Sequence, residues 1–231
     1  MKKLILQHWG GELNELAEKS VAQFQTYAEW VGADYELLRD HAFSSVMPKT
    51  SPTQKVAMIK REWDDYDVVV MVDPDMFLRG RIEHRADIFE EETGIGYSGD
   101  IQARLKQSMG NQYPLQFDPR APWYGGACWR LDRDYRQAMQ ACIHPHEFAF
   151  FSTRKTHGDE GYMHRLATLA GIRKTNAFST ARWQWPSHWD GVETESEFIH
   201  IRPKMIENGK EVRVPKEEAY RSLVEKGIIL E

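Results

Sequence analysis

A continuous apolar run at residues 68–72, Val-Val-Val-Met-Val, constrains the fold of this chain more than any other feature. A strand with one face in water alternates polar and apolar residues, whereas an unbroken run indicates a strand that is covered on both faces. Such strands are typical of parallel sheets that have helices on each side. The run therefore predicts an α/β fold.

The segments before this run fit the same fold. Residues 3–8 and 34–38 are predicted as strands, and residues 13–31 have the apolar spacing of a helix that ends at Gly32. Another helix is predicted to begin at Ser51, with Ser51 as its cap and Gln54 completing a capping box. The chain thus opens as alternating strands and helices, and 231 residues fit one domain.

Later segments are less regular, and long loops in compact domains are often binding loops or lids. Residues 102–124 are predicted to be such a loop, because they are rich in Gln, Pro and Gly. The other predicted elements are strands at residues 94–97 and 125–131, and helices at residues 134–142, 159–170 and 215–226.

Two carboxylates, Asp73 and Asp75, follow the buried run directly and flank Pro74. Residues two apart in an extended chain project to the same side, so both carboxylates can approach one cation. Open α/β sheets bind their ligands at the carboxyl ends of parallel strands. The pair therefore predicts a Mg²⁺ or Mn²⁺ site that holds a diphosphate. A plain turn is the alternative, since Asp and Pro both favour turns.

Residues 51–78 resemble the core of GT-A glycosyltransferases. Lys55, Tyr66-Asp67 and Asp73-Pro74-Asp75 occupy the places where that group has a helix lysine, a Tyr-Asp pair and an Asp-x-Asp motif after a buried strand. The likeness is nearest to the retaining branch around glycosyltransferase family 8. It continues in the same order at residues 88–89, 94–96, 123–128, 157–162 and 198–204.

The resemblance implies a GT-A (Rossmann-like) fold, with a central, mostly parallel sheet flanked by helices, over residues 1–231. The nucleotide-binding part is expected at about residues 1–100 and the acceptor side at about 101–231. The implied activity is metal-dependent transfer of a hexosyl group from a nucleotide-sugar, with UDP the favoured nucleotide, to a hydroxyl acceptor with retention.

The resemblance also suggests roles in metal binding and catalysis. Asp73, Asp75 and His200 are expected to bind the metal, and a histidine nitrogen favours Mn²⁺ over Mg²⁺. Asp159 and Glu160 open a predicted helix where catalytic groups are expected, although helix capping is an alternative for Asp159. Glu160 is interpreted as a nucleophile or a stabiliser of positive charge, or as a general base if the enzyme inverts.

The residues expected to contact the donor are Gln7, Trp9, Lys55, Asp100, Arg202 and Lys204. Trp9 is expected to stack on the base, and Asp100 to bind sugar hydroxyls. Arg202 and Lys204 are expected to neutralise the diphosphate. Lys55 lies at a helix start, where cations are disfavoured, which is consistent with a lysine directed at an anion. The alternatives are a surface lysine, a solvated basic face, a turn aspartate and a Trp9 that simply covers the core. For His200, the alternative is a partly buried structural histidine.

Aromatic residues cluster in a loop-like stretch at Trp183, Trp185, His188 and Trp189. Aromatic faces suit sugar stacking, so this stretch is a candidate acceptor surface. Large aromatic side chains also fill ordinary protein cores, and that is the alternative.

Composition excludes several other classes. A net charge of −5 and a pI near 6.0 argue against a nucleic-acid partner. No apolar run approaches a membrane span, and the apolar stretch at the N-terminus is too short for a signal peptide. Cys128 and Cys142 do not form a disulfide framework, so a cytoplasmic location is expected.

Two further functional interpretations remain. Haloacid-dehalogenase-like phosphatases and phosphotransferases also place Asp-x-Asp after a buried strand, and Asp73 would then be the nucleophile. The other is a module that binds a metal or a sugar nucleotide without turnover.

Overall fold

The computed structural model describes residues 1–39, 43, 52–94, 118, 120–153, 157–173 and 182–231. Within them lie nine strands: β1 Lys3–Trp9, β2 Asp34–Arg39, β3 Val68–Val72, β4 Met76–Leu78, β5 Cys128–Asp132, β6 Trp185–Pro186, β7 Phe198–His200, β8 Lys204–Glu207 and β9 Lys210–Arg213. The helices are α1 Glu15–Val31, α2 Arg133–Gln140, α3 Pro145–Ser152, α4 Gly158–Leu169 and α5 Lys216–Glu225. A 3₁₀ helix covers Pro52–Ile59.

The main sheet has four strands in the order β2-β1-β3-β5. Strands β2, β1 and β3 are parallel, and β5 is antiparallel to β3. A smaller sheet has the order β4-β7-β6, and β8 and β9 form an antiparallel hairpin. The predicted fold class is confirmed: the sheet is mostly parallel, and helices flank it.

The predicted burial of the apolar run on both faces is confirmed, since all of β3 is buried. Alternate residues of a strand point to opposite faces. Val69 and Met71 therefore pack in one core cluster with Val56, Trp129 and Leu166, while Val68, Val70 and Val72 pack in another with Phe24, Tyr27 and Phe198. The sheet lies between these two apolar layers.

A third core cluster joins the small sheet to the C-terminal helix. Phe77 and Ile199 pack here with Leu16 of α1 and with Tyr220 and Leu223 of α5. This cluster brings the start of α1 and the start of α5 to the same side of the molecule, next to the end of β3.

Most of the predicted elements are confirmed to within two or three residues. Helix α1 starts at the N-cap Asn14, whose side chain accepts a 2.8 Å hydrogen bond from Ala17 N, and ends at Gly32 in the left-handed conformation (φ 65°).

Cys128 and Cys142 are both free thiols. In the part of the chain that the structure describes, no helix has both the length and the apolarity needed to cross a bilayer.

Two predictions of local structure need correction. The helix expected from residue 51 is a 3₁₀ helix with every residue from Thr53 to Ile59 buried, because the sheet and α4 enclose it. The strand predicted at 125–131 begins only at Cys128, because the chain makes a turn at Gly126 and Ala127. Strand β4, helix α3 and the β8–β9 hairpin were not predicted. Ser51, residues 95–97 and most of the predicted loop lie outside the described residues.

Candidate active site

The two motif carboxylates lie where the chain leaves the main sheet and enters the small one. Asp73 follows β3, and its backbone N–H donates to Ala127 O at 2.8 Å. Met76 N then donates to Asp73 O at 3.1 Å, which closes a turn into β4. The turn therefore holds Asp73 and Asp75 at the carboxyl end of the buried strand, as the sequence predicted.

Strand pairing brings His200 to this turn. In the antiparallel pair β4–β7, His200 lies opposite Met76, and Ile201 N donates to Asp75 O at 2.9 Å. One ligand atom each from Asp73, Asp75 and His200 lie within 4.8 Å of one another. These three residues were predicted together as metal ligands, and they are adjacent in space.

The chemistry of this cluster fits a divalent cation. Asp75 Oδ1 is buried, has no hydrogen-bond donor among the described residues, and lies 3.5 Å from His200 Nε2. A buried carboxylate oxygen that accepts no hydrogen bond is costly, and a bound cation would remove that cost. Carboxylate oxygens and one imidazole nitrogen form a donor set suited to Mn²⁺.

The two carboxylates differ in their electrostatic environment. Burial raises the pKa of Asp73 above its usual range, against the opposing effect of Lys55. Burial acts to raise the pKa of Asp75 as well, but His200 and Lys216 outweigh it and hold that pKa well below its usual range. Asp75 is therefore the more strongly ionised member of the pair.

Lys55 is a buried cation between two carboxylates. Its Nζ lies 3.0 Å from Asp73 Oδ1 and 2.8 Å from Asp159 Oδ2, and it donates to Gly126 O at 2.5 Å. Burial alone would lower the pKa of Lys55, but Asp159 and Asp73 outweigh it and raise that pKa. The structure therefore places Lys55 in an internal ion-pair network, where its protons are directed at protein oxygens.

Helix α4 presents Glu160 beside this network. Trp123 Nε1 donates to Glu160 Oε2 at 2.7 Å, and Gly126 N donates to Glu160 Oε1 at 3.0 Å. His157 Nδ1 lies 3.1 Å from the same Oε1, and His157 itself is left-handed with φ 53°. A Cβ atom on Gly126 would lie 2.9 Å from Glu160 Oε1, so only glycine fits there without movement of the carboxylate.

A cavity of about 320 Å³ lies in front of the metal-ligand cluster. Its wall combines the end of β1, the start of α1, the 3₁₀ helix, the Asp-Pro-Asp turn and the start of α5. The residues are His8, Trp9, Gly10, Asn14, Leu16, Pro52, Lys55, Asp73, Pro74, Asp75, Lys216 and Glu217. Trp9 lies in this wall, and its Nε1 donates to Glu12 O at 2.8 Å. The cavity therefore joins the metal-ligand cluster to the site expected for a nucleotide base.

The structure places other predicted residues elsewhere. Gln7 is fully buried beneath the cavity, where its amide donates to Ser20 Oγ at 3.1 Å and accepts from Tyr35 OH at 2.7 Å. Arg202 is exposed, and Lys204 pairs with Glu211 at 2.7 Å. The described wall of the cavity includes neither basic residue. Asp100 lies outside the described residues.

Lys216 is a site residue that was not predicted from the sequence. This lysine opens α5, contacts Asp75 Oδ2 through its ammonium group, and lines the cavity. A signal was available, because a lysine in the first turn of a helix is disfavoured by the helix dipole. Lys55 was predicted as a site residue because it lies near the start of a predicted helix. Lys216 follows Pro215 at the start of another predicted helix and has the same feature.

Comparison with known proteins identifies the fold. No protein-family model matches the chain, and no curated protein matches its sequence. A glycosyltransferase involved in the glycosylation of the major capsid of PBCV-1 has a similar structure, with a TM-score of 0.53 and 9% identity over 97% of this chain and 100% of that chain. The bifunctional glycosyltransferase WbbM in its apo form gives a TM-score of 0.48 and 8% identity, over 86% of this chain and 45% of that chain.

At such low identity, the first match establishes the fold alone, and the second is too distant to add to it. The chain has a GT-A-type α/β fold, as the sequence predicted, and it shares that fold with a glycosyltransferase. The particular resemblance to family 8 stays a prediction. Function has to be argued from the site.

Proposed function

We propose that this protein is a metal-dependent glycosyltransferase that moves a sugar from a nucleotide-sugar, with UDP as the nucleotide, to a hydroxyl acceptor with retention. The observation that carries the proposal is that Asp73, Asp75 and His200 bring their ligand atoms within 4.8 Å of one another, with both carboxylates on the wall of a cavity at the carboxyl ends of β1 and β3. The fold match supports this over the phosphotransferase interpretation.

Metal and diphosphate binding are assigned to one wall of the cavity. Asp73, Asp75 and His200 would hold Mn²⁺ or Mg²⁺, and a bound divalent cation neutralises charge on a diphosphate. Lys216 lies on the same wall and supplies a second positive charge where the diphosphate would depart. It takes the role that the sequence analysis had assigned to Arg202 and Lys204.

Nucleotide binding is assigned to the end of β1. Trp9 offers an aromatic face in the cavity wall, and its indole N–H is already used in the bond to Glu12 O. The ring is therefore held by its own hydrogen bond and is free to stack on a base through its face.

Catalysis is assigned to Asp159 and Glu160 at the start of α4. Lys55 lies between Asp159 and the metal-ligand residue Asp73. Both oxygens of Glu160 accept hydrogen bonds, from Trp123 and Gly126 respectively. A carboxylate held in this way is better suited to stabilise positive charge at the anomeric carbon than to attack it as a nucleophile. Asp159 fixes the Lys55 ammonium group between the metal-ligand cluster and α4.

Ligand-dependent thermal stability tests the proposal. Wild type, Asp75→Ala and the surface control Asp65→Ala would be heated with UDP, UDP-sugars and other nucleotides, in Mn²⁺ or EDTA. Ligand at about 100 times its Kd stabilises the native state by about 2.7 kcal/mol. We expect a Mn²⁺-dependent rise in Tm with UDP or a UDP-sugar that Asp75→Ala abolishes and Asp65→Ala retains.

Turnover is tested separately by UDP release from UDP-sugars and by NMR of the product anomer. Glu160→Gln is expected to retain the Tm shift and lose turnover, whereas a binding module would show no turnover in wild type either. The proposal fails if no nucleotide changes the Tm while phosphatase activity depends on Asp73.

A further inference from the structure

A second cleft, of about 390 Å³, lies on the other side of α5 from the candidate active site. We call it the Trp189 cleft. Its walls are the loop from Ser187 to Glu193, strand β8 and the α5 face that carries Leu223. Its described lining shares no residue with that of the active-site cavity, which takes Lys216 and Glu217 from the first turn of the same helix. Residues of the same helix therefore line two separate cavities.

Trp189 gives this cleft an exposed and well-supported aromatic face. Its side chain is 48% exposed, and Trp185 packs against it edge to face at 6.2 Å between ring centroids. Trp189 N donates to Pro186 O at 3.0 Å. Gly191 turns the loop with φ 82°, and a Cβ there would lie 3.3 Å from the Trp185 ring. The loop therefore packs closely against Trp185, while about half of the Trp189 side chain stays exposed to solvent.

Charged groups of both signs surround this ring. The lining has two exposed carboxylates, Asp190 and Glu193, and two lysines, Lys204 and Lys226. Lys204 also pairs across the hairpin with Glu211 at 2.7 Å. Such groups donate and accept hydrogen bonds, and their charges offset one another. An aromatic face beside them matches a ligand that has a flat apolar face and a rim of hydroxyl groups.

We propose that the Trp189 cleft binds a neutral oligosaccharide, and that this oligosaccharide is part of the acceptor. The acceptor role rests on the proposed glycosyltransferase function, whereas saccharide binding does not. The cleft volume of about 390 Å³ lies in the range of pockets that hold small ligands, about 300–1,000 Å³. The balanced charge favours a neutral sugar chain over an acidic one.

Binding is tested with the full chain on an array of immobilised glycans, followed by calorimetry with the soluble form of the best one. Trp189→Ala is expected to weaken binding about tenfold or more, and Trp189→Phe to retain most of it, because the aromatic face is kept. Trp30→Ala is the matched control, since Trp30 is also exposed (42%) but lies in a separate groove beside α1. It should bind as wild type does.

Asp75→Ala separates this inference from the proposed function. We expect it to bind the glycan as wild type does, even though its response to Mn²⁺ and nucleotide is lost. Absence of binding to every glycan on the array overturns the inference, and so does equal binding by Trp189→Ala and wild type. A Trp189→Ala change that alters only the oligomeric state in light scattering also overturns it, because the cleft would then be a contact between copies.

Discussion

Lys55 shows how one buried side chain organises this site. Its ammonium group bridges Asp73, which leaves the main sheet, and Asp159, which opens α4. Only 8% of the Lys55 side chain is exposed, so water does little to screen these pairs. The lysine therefore couples the position of a metal-ligand candidate to that of the helix that carries Glu160.

Replacement of Lys55 tests this coupling. Lys55→Met should lower the free energy of unfolding by about 3–5 kcal/mol, because it leaves two carboxylates without their buried partner. Urea denaturation measures the loss. Lys60→Met is the control, since Lys60 is more exposed and its ion pair with Glu62 is 3.7 Å long; it should cost less than about 1 kcal/mol. Equal losses in the two variants would contradict the bridging role.

His188 predicts a pH dependence of stability. Burial lowers its pKa below the usual 6.5, with Lys204 and Arg202 acting in the same direction and Glu211 opposing them. The unfolded chain then binds a proton more readily than the folded one, so this group's contribution is present above pH 6.5 and is lost as pH falls through the lowered pKa.

The variant His188→Gln removes this titration. Its free energy of unfolding should fall less steeply than that of wild type between about pH 7.5 and about pH 5.5. Urea denaturation at several pH values in that range measures how steeply the free energy of unfolding changes with pH in each protein. Parallel slopes would show that His188 has the same pKa in the folded and unfolded chains.

At the scale of elements, the site depends on where helices begin. Helices α1 and α5 both start at the active-site cavity, and their first residues, Leu16, Lys216 and Glu217, line it. The N-terminal N–H groups of a helix need acceptors, and in α1 the Asn14 side chain supplies one of them. Correct capping of α1 therefore shapes one edge of the cavity.

Substitution of Asn14 tests whether its side chain caps α1. Asn14→Ala should cost about 1 kcal/mol of stability, because Ala17 N loses its side-chain acceptor. Asn14→Asp keeps an acceptor and adds a negative charge near the helix N-terminus, so its stability should stay within about 0.5 kcal/mol of wild type. Chemical denaturation distinguishes the two, and an equal loss in both would rule out capping as the cause.

At the scale of the whole molecule, the third core cluster holds the site together. It joins α1, β4, β7 and α5, which are far apart in the chain, through residues such as Leu16, Phe77, Ile199 and Leu223. Loss of packing in this cluster would separate Lys216 from Asp75 as well as destabilise the fold. Stability and ligand binding are therefore expected to fall together.

The variant Leu223→Ala tests whether ligand binding depends on packing in the third core cluster. Leu223 is 4% exposed, so truncation should cost about 2–4 kcal/mol and weaken the Mn²⁺-dependent nucleotide shift. Leu230→Ala serves as the control, because Leu230 is 43% exposed and its truncation should cost less than about 1 kcal/mol. Unchanged nucleotide binding in a destabilised Leu223→Ala variant would show that the site does not depend on this cluster.

Much of the fold and part of the site could be predicted from local patterns. Strand β3, helix α1 and the Asp73–Asp75 pair follow from apolar periodicity and from signals at the ends of elements, which act over a few neighbouring residues. The approach of His200 to Asp75 was expected from the family resemblance and not from its own surroundings in the chain. The 3₁₀ form of Pro52–Ile59 was missed, because enclosure by the sheet and α4 overrides its local pattern.

Local sequence patterns thus predict the α/β class, the parallel strands at its centre and the carboxylates at the end of the buried strand. Which cations contact those carboxylates depends on how distant segments pack. Lys216 reaches Asp75 across 141 residues of chain, while Lys204 pairs with Glu211 and Gln7 is buried beneath the cavity. Burial and ion pairing depend on which elements pack together, and short-range sequence patterns do not specify that packing.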